Sequence, residues 1–98
     1  MLSQIKAITL ALGVGLALAS PAAAECFADY KAKKDDPLQL HYGVAKVSDK
    51  NCSRGAAEKE LKPRLKGDGW TLLNVLSTFG SEGLGERKAS AGAYYLRY

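Results

Sequence analysis

Few residues in this chain have the type and spacing to do chemistry. His41 is the only histidine among 98 residues, and so the one side chain whose ordinary pKa suits a general base near neutrality. No motif places a Ser or Cys nucleophile beside it, and it falls on the polar-alternating side of a strand pattern. The expectation is an ordinary surface or edge histidine, with no catalytic residue assigned. Gly80-Ser-Glu-Gly-Leu-Gly has the glycine content of a phosphate cradle. It lacks the Gly-Lys-Ser/Thr ending and lies between two expected strands, so no cofactor is assigned to it. Cys26 and Cys52 with the distant His41 make a poor zinc set, and neither cysteine sits in a C-x-x-C. Trp70, Tyr94 and Tyr95 could stack on a sugar or peptide. The competing use of their area is to fill a small core.

The first 24 residues carry a different kind of signal. Lys6 is their only charged side chain, an apolar run follows from Ala7 to Ala19, and Ser20-Pro21-Ala22-Ala23-Ala24 closes the segment. Ala22 and Ala24 occupy the −3 and −1 positions of an A-x-A cleavage site. A secretory signal peptide cleaved between Ala24 and Glu25 is the expectation. The apolar run is short for a membrane anchor, which needs about 20 residues. Glu25 before Cys26 argues against a lipoprotein. Membrane contact is then expected only through the leader before cleavage, and the mature chain is expected in the periplasm or the medium.

Cleavage would leave residues 25–98 as one small domain. This part holds fourteen Leu, Val and Phe and no Ile, near the level where disorder becomes a concern. Five Tyr and Trp70 add burial that this count misses. A domain of this size is marginal without a staple. Cys26 and Cys52, the only cysteines, would reach an oxidising compartment, where a disulfide between them is expected. A reactive thiol or an intermolecular bridge are the alternatives. Lys31, Lys33 and Lys34 are followed at once by Asp35 and Asp36. That reads as a solvated face, and no second basic cluster interleaved with aromatics points to nucleic acid.

The elements that would position these residues follow from periodicity. Phe27 and Tyr30, three apart, suggest a short helix over residues 25–34 that ends before Pro37. Leu38 to Val47 alternates as a strand. Ser53 can cap a helix whose Ala57, Leu61 and Leu65 share one face, with Glu58 and Lys62 as an i, i+4 pair. Pro63 predicts a kink or a break in it, and Gly67-Asp68-Gly69 stops it. Trp70 to Phe79, apolar on both faces, predicts a central strand. Gly80 to Gly92 reads as a long flexible loop and Ala93 to Tyr98 as a last strand. The expected fold is a small α+β, βαββ sandwich: a three-stranded mixed sheet with one main helix on one face.

The stretch from the Leu-rich helix onward also resembles a known pattern. Leu61, Leu65, Gly69, Trp70, Leu72, Val75, Tyr95, Leu96 and Arg97 match a widespread family of short bacterial β-α-β-β domains of unknown function. The whole mature chain is similar to small secreted hypothetical proteins of proteobacteria. The signal peptide, the cysteine pair and the longer loop before the last strand depart from the family pattern. The resemblance implies the fold and carries no activity or catalytic residue.

One helix covers one sheet face, so the other must be covered by the N-terminal segment or a partner, or be polar. This makes a non-catalytic envelope protein the leading expectation, binding an unknown protein or a second copy of itself. A cell-wall or glycan-binding module is the alternative, as is a peptidase inhibitor presenting Gly80–Gly92. An enzyme is the weakest reading.

Overall fold

The computed structural model describes residues 25–97; the expected leader, residues 1–24, and Tyr98 lie outside the described residues. Strand β1 (Cys26–Lys34) is followed by β2 (Gln39–Val47), helix α1 (Arg54–Gly67), β3 (Thr71–Phe79) and helix α2 (Gly85–Ala91). The sheet order is β2-β1-β3, with β1 antiparallel to both neighbours. The α+β class and the three-stranded sheet are as expected. The element order is β-β-α-β-α rather than β-α-β-β, and the sheet is antiparallel rather than mixed. β2 and β3 do run parallel across the crossover helix, but β1 lies between them. Among the described residues, no helix is long and apolar enough to cross a membrane.

β1 replaces the short helix expected over residues 25–34. Cys26, Ala28, Tyr30 and Ala32 point to one face and are all buried, while Phe27 and Asp29 are buried on the other. The period is therefore two. Spacing between Phe27 and Tyr30 mimicked a helix because the alanines between large residues carry little periodic signal. β1, not β3, is the central strand. It packs α1 on its alanine side, where Ala28, Tyr30, Ala32, Ala45, Val47, Val75 and Trp70 meet Ala57, Leu61 and Leu65.

α1 begins at Ser53, whose hydroxyl accepts from the Ala56 amide at 3.4 Å. It runs without interruption through Pro63, which is exposed. The missing amide falls on the solvent side, where Lys59, whose carbonyl it frees, is also exposed. Gly69 takes φ +84, and the Trp70 amide turns back onto the Leu65 carbonyl at 3.0 Å. Glu58 makes no ion pair with Lys62; its carboxylate instead accepts the Val75 amide of β3 at 3.2 Å.

Two register shifts distort β3, between Asp29 and Tyr30 and between Lys31 and Ala32 of its partner. Each inserts one residue, Leu76 and Leu73 respectively, so strict alternation fails along the strand. Leu72 and Val75 consequently face the same α1 side. The two-sided apolar pattern thus marks a bulged edge strand.

The stretch from Gly80 to Gly92 is not a free loop. It contains a 3₁₀ turn, Ser81–Gly83, and α2, and it covers part of the second sheet face. There Phe27, Val44 and Ala91 form a second core with Tyr42, Phe79, Leu84 and Tyr95 around it. Ala93–Tyr98 is likewise not a third strand of a hairpin. Gly92–Tyr94 is a 3₁₀ turn, and Tyr95 makes a single parallel bridge with Val44. Leu96 adopts φ +56, in the left-handed region that ends an extended run.

Cys26 and Cys52 form a disulfide with their Cα atoms 5.8 Å apart. It ties the first residue of β1 to the residue before the cap of α1. The hairpin turn between β1 and β2 holds a cis Asp36–Pro37 peptide.

Candidate functional site

Three places on the molecule carry polar or aromatic chemistry. The first is an aromatic box on the α1 side of β2. His41 is not at the surface: it is 8 % exposed, on the same side of β2 as Gly43, Ala45 and Val47. Those small residues made that side look polar, yet it faces the core because the Tyr30 ring of β1 lies across Gly43. A Cβ at Gly43 would stand 2.5 Å from the Tyr30 hydroxyl oxygen. With that space open, Tyr30 reaches His41, hydroxyl oxygen to Nε2 3.1 Å. Tyr94 stacks on the other side of the imidazole with centroids 3.7 Å apart and planes 11° from parallel. Trp70 meets the ring edge-on at 4.3 Å. His41 Nδ1 is buried with no hydrogen-bond partner among the described residues. Lys34 Nζ lies 4.6 Å over the Trp70 ring and the Arg97 guanidinium 5.7 Å over Tyr94.

The Gly43 vacancy makes a direct prediction. Gly43→Ala forces Tyr30, which is fully buried, off its rotamer and out of reach of His41. Overpacking of this kind costs about 1–3 kcal/mol. Chemical denaturation of the variant should show a lower midpoint with an unchanged slope. An unchanged midpoint would mean that the strand yields instead.

The second place is a polar hub on the opposite face. Asp29 of β1 is 6 % exposed. Its carboxylate accepts from Ser77 Oγ at 2.7 Å, Tyr42 Oη at 2.9 Å and Arg87 Nε at 3.1 Å. Arg87, on α2, also donates Nη1 to the Gly83 carbonyl at 2.7 Å and lies 4.0 Å over the Phe79 ring. Burial by itself would raise the Asp29 carboxyl. The donated hydrogen bonds and the guanidinium charge outweigh it and hold the group below its ordinary value. Tyr42 is pushed up to about 12, by burial first and then by the carboxylate it donates to. The hub is saturated with donors and fixed, so its shape is that of a fastener between α2 and the sheet rather than of a reactive acid.

The third place is the part of that same face which α2 leaves open. Leu38, Leu40 and Leu73 are 63 %, 67 % and 49 % exposed. Leu40, Leu73, Lys31 and Tyr42 line one shallow depression. Lys33 is paired with Asp35 at 3.3 Å. Lys31 has no ion pair among the described residues. Among those residues there is also no group of three or more His, Cys, Asp or Glu placed to hold a metal.

The aromatic residues expected to form one binding surface are divided. Trp70 is 6 % exposed and packs with Tyr94, ring centroids 5.7 Å apart. Tyr95 belongs to the second core, on the other side of the sheet. The Asp29 hub escaped sequence reasoning. Asp29 is followed by a basic run, and its partners Tyr42, Ser77 and Arg87 are scattered along the chain. No local pattern links them.

Comparison of the chain with protein-family models, with curated proteins and with solved structures finds no match to any of them.

Proposed function

We propose that this chain is a small exported, non-catalytic binding module that docks through the open end of its sheet. The observation that carries this reading is the pair Leu40 and Leu73 beside Lys31 and Tyr42, with Leu38 exposed in the turn before β2. These are large apolar side chains held on a rigid sheet, and an apolar surface rimmed by polar groups is the usual form of a docking site. The burial of His41 among Tyr30, Trp70 and Tyr94 supports a packing role for the neutral imidazole. The leader and the disulfide support export to the periplasm or the medium. Kinship with the short bacterial β-α-β-β domains belongs to the same proposal; it rests on Gly69, Trp70 and Tyr95-Leu96-Arg97, and the observed β-β-α-β-α order argues against it.

Site-specific photo-cross-linking in an exporting host tests the docking surface. A photoreactive residue at Leu40 should give discrete adducts, whereas one at Lys59, on the exposed side of α1, should not. Absence of adducts at position 40, or an identical pattern at both positions, would remove the ledge as the docking surface. N-terminal sequencing of the same exported product should begin at Glu25.

A further inference from the structure

His41 is packed by groups from several elements, the last of them the C-terminal segment, and it also borders the depression that Lys31 and Tyr42 line. β1 contributes the Tyr30 hydroxyl and, from its end, Lys34. Trp70 enters from the residue before β3, and beside it stand Lys62 and Lys66 of α1. The segment after α2 contributes Tyr94 on the ring face and Arg97 beyond it. Among the described residues, none of these cations is ion-paired to a carboxylate. His41 is thus a histidine ringed by aromatics and cations, with one nitrogen engaged and the other buried without a partner among the described residues.

The C-terminal segment is held to the body by the rings of Tyr94 and Tyr95 and by backbone contacts with Val44. Gly92, at φ +53, turns the chain out of α2. Tyr94 then stacks on His41, Tyr95 drops into the second core, and the Leu96 amide donates to the Val44 carbonyl at 2.7 Å. That bond and the Tyr95–Val44 bridge lie on the outer edge of β2. The segment covers a sheet edge that would otherwise offer unpaired backbone groups.

We propose that residues Gly92–Arg97 form a strap over the outer edge of β2, closed while His41 is neutral and released when His41 takes a proton.

An imidazolium carries a proton on both nitrogens, so Nδ1 would need an acceptor, and none of the described residues supplies one in the closed form. An orphaned charged donor costs far more than an orphaned lone pair. The ring faces that might welcome a cation already carry one, Lys34 on Trp70 and Arg97 on Tyr94. Lifting the strap removes Tyr94 and Arg97 together and admits water to Nδ1. Burial first, then the charges of Arg97 and Lys34, hold the imidazole below its usual 6.5 in the closed form.

The sign follows from linkage. The open form binds a proton at the ordinary value and the closed form only at a lower pH. Closure is therefore at its full strength above about 6.5 and weakens as pH falls toward the closed-state value. Within that window the open fraction rises up to about tenfold per pH unit. Release would uncover the β2 edge and the seat of Tyr95, next to the Leu40 ledge. The strap is independent of what docks there.

Amide hydrogen exchange on the oxidised protein, corrected for intrinsic rates, tests it. The Leu96 amide should keep its protection above about pH 6.5 and lose it progressively as pH falls to about 5, while the β1 amides of Ala28 and Tyr30 keep theirs. The His41 ring signals should titrate with the same midpoint as the Leu96 loss. His41→Phe keeps an aromatic ring in the stack and takes no proton, and should abolish the pH dependence. Parallel loss at Leu96 and in β1 would make His41 a plain core residue. Constant Leu96 protection, or a midpoint that does not follow the His41 titration in the unaltered protein, would also overturn the strap.

Discussion

Reduction of the Cys26–Cys52 disulfide is expected to cost this fold about 3.5 kcal/mol. The bridge spans a sequence separation of 26, and a loop of that length gives about that figure in the chain-entropy model. Domains of this size have about 5–10 kcal/mol to lose. The effect should be large because of where the bridge lies. Cys26 is buried in the main core beside Ala28 and Val47, and Cys52 precedes the cap of α1. Without the link, the central strand and the helix that packs on it are joined only through the β1–β2 hairpin. Denaturation of the oxidised and reduced protein, with Trp70 fluorescence as probe, measures the difference. The corresponding drop in melting temperature is on the order of 15–25 °C. A loss below about 1 kcal/mol would mean that packing alone holds the fold. Mass spectrometry should show a gain of about two mass units on reduction, as one S–S bond becomes two thiols. Residues 25–98 produced in a reducing cytosol should be correspondingly easier to degrade.

Asp29→Ala is expected to cost about 3 kcal/mol, the second large effect. The substitution strips three donors of their common acceptor and leaves the Arg87 guanidinium partly buried over Phe79 without its carboxylate. Breaking one partner of a buried pair is costly for that reason. α2 should detach first, since Arg87 is its main tie to β1, and the second core around Phe27 and Val44 should open. Exchange of the Ala91 and Arg87 amides would report this before the β1 amides change. Removing both charges together, as Asp29→Leu with Arg87→Met, should recover part of the loss. If the double variant is no better than the single one, the pair is not the source of the stability. The hub also sets an acid limit. Its folded-state carboxyl lies below the ordinary 3.8, so its contribution is complete above that pH and is lost as pH falls through the lower folded value. Stability lost between about pH 6.5 and pH 5 therefore does not come from Asp29, whereas the depressed imidazole of His41 does titrate in or below that window.

Both effects concern residues whose roles were unequally legible. The disulfide could be expected from two cysteines behind the apolar pattern of residues 1–24, which reads as an export signal. The hub could not, because a lone Asp before a lysine run has the signature of solvated surface. His41 was misplaced for a related reason. Side-chain polarity is a poor guide to burial where small residues share its face, and Gly43 is small because Tyr30 occupies its space. The helix with its Ser53 cap and its Ala57-Leu61-Leu65 face was readable because those signals are local. The strap was not, since Tyr94-Tyr95-Leu96 alternates like a strand and only Leu96 φ and the Val44 bridge show otherwise.

The amino-acid sequence by itself determined the α+β class, the bounds of α1 and β2 to within a residue or two, and the only intramolecular disulfide available. Each of these depends on residue type or on periodicity within one element. Tertiary structure alone decided that the alanine-rich β1 is the central strand, that α2 covers part of the second face, and that Leu40 and Leu73 remain uncovered beside Lys31. It alone brought His41 under Tyr94 and Asp29 to Arg87. These outcomes depend on which distant segments exclude water together, and strand order and β-bulges govern that without leaving a mark on any one stretch of the chain.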